Sequence, residues 1–136
     1  MNDLLIASPS GGALPISPEG LLNALHARWP GHVRVSDPTS GVALTAWVDP
    51  AGESPFSISL NDAGTTMWVD GTPEQNRATA VWIRSLLPEP APRVIAFDSG
   101  WTWHVDLVPG ITGKTFDAAA VDHSLPGWDE RDPELA

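Results

Sequence analysis

The chain has 136 residues, which is enough for one domain with its own hydrophobic core. Its 17 acidic residues against 7 basic ones give a net charge of -10, which disfavours binding to nucleic acid and to anionic membranes and favours a basic protein partner. Because the chain has no cysteine, disulfide bonds and thiolate catalysis are excluded.

Two segments have the signals that begin and end a helix. Ser17 and Pro18 are suited to an N-cap and a first helical position, and Pro30 ends the apolar pattern that follows, so we predict a helix over 18–29. Thr72 and Gln75 have the spacing of a capping box, and the prolines from Pro88 onward end a second helix over 73–87.

Between and after the helices, short runs rich in β-branched and aromatic residues are separated by turn sequences. They predict strands at 33–36, 42–48, 56–60, 66–69, 93–97 and 101–108, with an edge strand at 4–7. The element order β-α-β-β-β-β-α-β-β predicts an α+β fold: a mainly antiparallel sheet with two principal helices packed on it. We assign residues 1–123 to this single domain.

The two ends of the chain bear on flexibility and on localisation. Residues 124–136 are acidic, interrupted by proline and without periodicity, so we expect a flexible tail. The first residues lack the positive charge and long apolar run of a signal peptide, and no run approaches the ~20 residues of a membrane span. We therefore expect a cytoplasmic protein without membrane contact.

Three sequence patterns are candidates for catalytic or metal chemistry. Gly113-Lys114-Thr115 ends like a phosphate-binding loop, but the first glycine of that motif would fall at Val108. The histidines lack metal-binding spacing, so we predict neither a metal nor a cofactor. His104 and Asp106 share a strand face, which is the minimum for a general base and is also common for solvent-facing pairs. Without a nucleophile motif, we predict that the protein is not an enzyme.

The last predicted hairpin holds the candidate binding residues. Trp101 and Trp103 begin its second strand, are expected to share a face, and lie close in sequence to Asp98 and Asp106. Aromatic anchors within a charged rim are typical of interface hot spots. We therefore predict that these four residues contact a basic partner, while core packing remains the alternative role of the two tryptophans. Trp128, in the polar tail, has no evident packing role.

Several segments together resemble a group of small acidic uncharacterised proteins of actinobacteria. They are Ser17-Pro-Glu-Gly-Leu-Leu, Arg28-Trp-Pro-Gly31, Ala80-Val-Trp-Ile-Arg-Ser-Leu-Leu-Pro88, Phe97-Asp98 and Val105-Asp-Leu-Val-Pro-Gly110. Some members of this group resemble immunity proteins of polymorphic toxin systems, which bind and block a toxin made by the same cell. The resemblance spans about residues 17–110 and implies an inhibitor, without assigning any site residue.

The sequence is therefore compatible with three functions. The leading hypothesis is an immunity or inhibitor protein that covers the active site of a basic toxin or effector. The alternative is an interaction or accessory module of a secretion or assembly system, which is compatible with the same surface. A small hydrolase-like enzyme using His104 with Asp106 or Asp98 is the third.

Overall fold

A computed structural model describes residues 3–135; residues 1, 2 and 136, at the outer limits of the predicted domain and tail, lie outside this range. The strands are β1 (Asp3–Ala7), β2 (Val33–Ser36), β3 (Val42–Val48), β4 (Phe56–Asn61), β5 (Thr66–Asp70), β6 (Ile95–Asp98), β7 (Trp103–Asp106) and β8 (Val121–Asp122). The helices are α1 (Pro18–Arg28), α2 (Pro73–Leu86) and α3 (Gly113–Ala119), followed by a 3-10 turn at Pro133–Leu135.

All eight strands belong to one antiparallel sheet with the order β2-β3-β4-β5-β1-β6-β7-β8. The predicted α+β class with an antiparallel sheet is thus confirmed. Two further elements, α3 and β8, follow β7, which corresponds to the last strand of the predicted order. Among residues 3–135, no helix is long and apolar enough to cross a membrane.

Both long helices begin where local chemistry satisfies their first backbone N–H groups. The hydroxyl of Ser17 accepts a hydrogen bond from the backbone N–H of Gly20, and Pro18 occupies the first turn of α1. Thr72 and Gln75 form a reciprocal capping box at the start of α2. The two helix starts are therefore readable from a few adjacent residues.

The core lies between one face of the sheet and the helices, and we call this the inner face. The alternation of side chains along β4 is typical: Phe56, Ile58 and Leu60 are buried, whereas Ser57 and Ser59 point to the opposite, outer face. From the helices, apolar side chains such as Leu21, Leu25, Ala80 and Ile83 complete the same core. The fold thus buries one face of the sheet against α1 and α2.

The position of β1 differs from the predicted edge strand. It lies between β5 and β6, where Leu4 pairs with Val69 on one side and with Asp98 on the other. Leu4 and Ile6 are almost fully buried. An apolar strand with neighbours on both sides buries both residues more completely than an edge position would, so β1 joins the two halves of the sheet.

The C-terminal residues, for which a flexible tail is predicted from residue 124 onward, contact the domain. β8 pairs with β7, and the segment that follows lies against the outer face of β6 and β7. Arg93, just before β6, binds the carboxylates of Asp132 and Glu134. The acidic composition of this segment predicts a solvent-exposed tail, but in the structure two of its carboxylates, those of Asp132 and Glu134, bind the guanidinium of Arg93.

Candidate functional site

The turn between β6 and β7 determines where the predicted binding residues lie. The carboxylate of Asp98 accepts hydrogen bonds from the backbone N–H and the hydroxyl of Thr102. Burial alone would raise the pKa of Asp98, but the bonds from Thr102 and from the backbone N–H of Trp103 lower it below its usual value. Asp98 is therefore an ionised turn residue with fixed geometry.

Trp101 and Trp103 do not share a face, which corrects the prediction. Trp101 precedes β7 with a φ of 54°, a left-handed conformation that is uncommon outside glycine and interrupts the alternation of a strand. Its ring lies on the outer face, almost parallel to the ring of His104 at 6.1 Å between centroids. Trp103 lies on the inner side and packs edge-on against Phe116 of α3.

Two of the four predicted residues line a cleft of about 370 Å³ on the inner side, which we call the acidic cleft. Its lining residues come from β1, α2, β6, β7 and α3: Asp3, Leu4, Pro73, Asn76, Arg77, Asp98, Trp103, Phe116 and Asp117. Three of these residues are acidic and one is basic. Arg77 is paired with Asp117 at 2.9 Å, so the cleft retains an excess of negative charge next to an indole ring.

The other two predicted residues belong to the outer face. Trp101 joins His104, His123 and Trp128 in a group that we call the histidine–tryptophan cluster. The imidazole of His123 contacts both indoles, stacked on Trp128 with 3.8 Å between centroids and tilted against Trp101 at 4.6 Å. Trp128, which had no evident role in the sequence, thus packs on a histidine.

The hydrogen bonds of this cluster define the tautomers of both histidines. His123 Nδ1 lies 2.7 Å from the carbonyl oxygen of Trp101, which can only accept, so Nδ1 bears the hydrogen. In neutral His123 the Nε2 atom is then an acceptor, and His104 Nδ1 donates to it at 2.7 Å. This leaves His104 Nε2 facing a carboxylate oxygen of Asp132 at 3.6 Å.

His104 is only 1% exposed, and its surroundings disfavour the charged form. Burial is the main cause that lowers the pKa of His104, and a protonated His123 would lower it further. The carboxylates of Asp106 and Asp132 act in the opposite direction, although Arg93 offsets part of their effect. The result is a buried histidine whose pKa lies below its usual value.

The carboxylate of Asp106 is bound by an arginine of the same chain, Arg93. Arg93 donates to Asp106 through Nε at 2.7 Å and through an Nη atom, and it also binds Asp132 and Glu134. These hydrogen bonds, to Asp132 first and then to Asp106, raise the pKa of Arg93 above its usual value. In return, the bond from Arg93 lowers the pKa of Asp132. Asp106 therefore joins an internal ion network, and the structure does not place it beside Asp98 or Trp103.

The outer face brings together three residues of metal-binding type. His104, Asp106 and Asp132 each offer one ligand atom, and these atoms lie within 4.8 Å of one another. The guanidinium of Arg93, however, binds both carboxylates and occupies the position that a cation would take. The geometry fits a guanidinium-centred network better than a metal centre.

The hypothesis of a catalytic histidine also meets a geometric obstacle. His104 and Asp106 share the outer face as predicted, but His104 is buried under the C-terminal segment. Asp98, the other proposed carboxylate, belongs to the inner face because it pairs with Leu4. The acidic cleft therefore contains no histidine among its lining residues.

Gly113-Lys114-Thr115 has a structural role at the start of α3. Thr112 is the N-cap, and its hydroxyl accepts from the backbone N–H of Thr115. α3 is only seven residues long. These residues form a capping box and not a phosphate-binding loop.

In comparisons with known proteins, no family model, no curated protein and no solved structure matches this chain.

Proposed function

We propose that this chain is an inhibitor of the immunity-protein type, which neutralises a basic toxin or effector by covering its active site. The single observation that supports this proposal best is the acidic cleft, where Asp98 and Trp103 meet. The net charge of -10 and the resemblance of the sequence to small acidic immunity-like proteins point in the same direction.

The cleft has the chemistry to accept a lysine or arginine side chain of the partner. Ionised Asp98 supplies negative charge at its rim, and the indole of Trp103 offers an aromatic surface to a cation. Arg77 neutralises Asp117 but leaves Asp98 without a basic ion-pair partner among the described residues. A cationic side chain of the partner would therefore contact both the carboxylate of Asp98 and the indole of Trp103 in the acidic cleft.

The net field and the cleft contribute to different steps of binding. A negative protein attracts a basic partner over long distance, which mainly accelerates association. A desolvated aromatic anchor mainly slows dissociation. An inhibitor that covers a basic active site needs both contributions and needs no catalytic residue of its own.

We restrict the proposed contact surface to the acidic cleft. Trp101 packs within the histidine–tryptophan cluster and Asp106 binds Arg93, so both are engaged within the molecule. Asp98 and Trp103 remain as contact residues, with Asp3 and Asp117 beside them in the cleft.

The test combines capture with a functional assay. The tagged protein is used to capture partners from its source cell, in parallel with Asp98→Asn and Trp103→Ala variants whose folding is checked by circular dichroism. Asp37→Asn is the control, because it removes the same charge from the exposed turn between β2 and β3. We expect the wild type and the control to retain one basic protein and the cleft variants to lose most of it.

The captured protein is then assayed with and without the inhibitor. Loss of its activity on binding supports the proposal, whereas binding without inhibition favours the accessory-module alternative. Failure of the wild type to retain any basic protein, or equal capture by all variants, would contradict the proposed function.

A further inference from the structure

The indoles of Trp29 and Trp82 show how this protein holds a guanidinium on aromatic rings. They pack edge-on, with 5.2 Å between centroids and an angle of 69°. Arg28 lies over both rings, with its Cζ atom 5.2 Å from the centroid of Trp29 and 5.8 Å from that of Trp82. Two rings at a steep angle, which we call an aromatic corner, thus bind a planar cation through cation–π contact.

The acidic cleft contains a second aromatic corner. Trp103 and Phe116 both line the cleft, and their rings pack edge-on with 6.2 Å between centroids and an angle of 75°. Within the described range 3–135, no arginine or lysine lies over either of these rings. The two corners therefore have similar geometry, but in this part of the chain only the first is covered by an arginine.

Carboxylates line the cleft together with this corner. Arg77 donates through Nη1 to both carboxylate oxygens of Asp117, at 2.9 and 3.2 Å, so the cleft already binds one guanidinium of the chain itself. Asp3 and Asp98 have no ion-pair partner among residues 3–135. They belong to adjacent strands, because Leu4, the neighbour of Asp3, pairs with Asp98. The cleft thus offers acceptors on two strands near an aromatic corner.

Thr102 fixes the plane of the Asp98 carboxylate. Its backbone N–H donates to Oδ1 at 2.7 Å, and its hydroxyl donates to Oδ2 at 2.5 Å. Because each oxygen already accepts a hydrogen bond, part of the capacity of this carboxylate is used within the turn. An incoming cation therefore gains from having donors that reach a second acceptor, such as Asp3, as well as Asp98.

An arginine side chain meets these conditions better than a lysine side chain. A guanidinium is planar and weakly hydrated, so its face can lie on a ring while its N–H donors spread in the plane toward separate acceptors. An ammonium is compact and strongly hydrated, and it must give up more of its water to contact a ring. The aromatic corner and the carboxylates on two strands therefore favour a guanidinium.

We propose that the acidic cleft is a guanidinium site, into which the basic partner inserts an arginine side chain and not a lysine. This inference rests on the proposed function, because it names the partner group that the same cleft accepts. It requires that the partner has an arginine on the surface that the inhibitor covers.

The test uses blocked amino acids as probes, so it does not require the partner. The ¹⁵N-labelled protein is titrated at pH 7 and constant ionic strength with Nα-acetyl-arginine methylamide, with its lysine analogue and with its uncharged citrulline analogue. The readout is the shift of the indole N–H signal of Trp103 and of the backbone N–H signals of Asp98 and Thr102. We expect the arginine probe to bind with a Kd in the millimolar range, at least about threefold more tightly than the lysine probe, and the citrulline probe to bind least.

The matched variant is Asp98→Asn, which keeps an oxygen that can accept from Thr102 but removes the charge. We expect it to lose most of the preference for arginine over citrulline. The control Asp37→Asn, which removes the same charge from the exposed turn between β2 and β3, should bind all three probes like the wild type. If Asp98→Asn does not fold, the comparison of the three probes on the wild type still decides.

The outcomes separate this inference from the proposed function. Equal or tighter binding of the lysine probe in the cleft would overturn the guanidinium site and leave the inhibitor function standing. Shifts by the arginine probe that are confined to signals outside the cleft would also overturn it. Binding of the arginine probe in the cleft, together with a captured partner that is not inhibited, would support the guanidinium site and refute the inhibitor function.

Discussion

Arg93 and Asp132 lie 39 residues apart in the chain, yet the guanidinium of the first donates two hydrogen bonds to the carboxylate of the second. A bidentate contact of this kind fixes both the distance and the orientation of the two groups. It holds the C-terminal segment 123–135 on the domain, and it also brings Asp132 close to Asp106.

Replacing Arg93 should therefore destabilise the protein. Arg93→Gln leaves Asp106, Asp132 and Glu134 close together without a cation, and we expect a loss of about 1–3 kcal/mol in the free energy of unfolding. Arg93→Lys keeps the charge but not the planar fork, so its loss should be smaller. Urea unfolding measures both values. The control is Arg34→Gln, an exposed arginine on β2, and an equal loss in Arg34→Gln and Arg93→Gln would refute the role of the network.

Trp101 should affect stability and not partner binding. Trp101→Ala removes a ring that packs against Phe97 and His123 on the outer face, and we expect a loss of about 2 kcal/mol, less than for a fully buried tryptophan because Trp101 is 37% exposed. Unfolding and binding are measured on the same preparation. A folded Trp101→Ala protein that binds its partner markedly more weakly would place the interface on the outer face instead.

The protein should not depend on a bound metal. Since Arg93 occupies the carboxylates of Asp106 and Asp132, we expect chelation to leave the stability of the protein unchanged. Thermal unfolding in EDTA and in buffer should give the same Tm, and added Zn²⁺ should not raise it. A Tm that falls by several degrees in EDTA would show that the sequence-based prediction of a metal-free protein is wrong.

Nucleic acid should not bind at physiological salt. The net charge of -10 opposes the phosphate backbone, whose attraction to basic residues supplies most of non-specific affinity. Fluorescence anisotropy with labelled duplex DNA and single-stranded RNA measures this directly. Submicromolar affinity for either would disprove the prediction.

The sequence predicts best what depends on neighbouring residues. The starts of α1 and α2 follow from caps and prolines within four residues, so the expected and observed starts agree at Pro18 and Pro73. The central position of β1 depends on pairing with strands more than sixty residues away, as in the register of Leu4 with Val69. Local patterns do not encode that order of strands.

The candidate site could be predicted only in part for similar reasons. Asp98 and Trp103 line the same cleft, but Trp101 leaves their side of the sheet because its φ of 54° interrupts the strand alternation. A tryptophan does not predict this left-handed conformation, which glycine adopts far more readily. The sequence does not indicate the roles of Arg93 and His123, because their hydrogen-bond partners are distant in the chain. An aromatic residue without an evident packing role in the polar tail, Trp128, is the signal that this segment contacts the domain.

In the proposed function, the acidic cleft holds a cationic group of a basic partner. The most direct measurement is the binding kinetics of the purified partner with wild type, Asp98→Asn, Trp103→Ala and the Asp37→Asn control at two salt concentrations. Asp98→Asn should lower the association rate and flatten its salt dependence beyond the effect of the control. Trp103→Ala should accelerate dissociation, at a cost of about 2 kcal/mol or roughly thirtyfold in Kd. Wild-type rates in both folded cleft variants would show that the acidic cleft does not bind the partner.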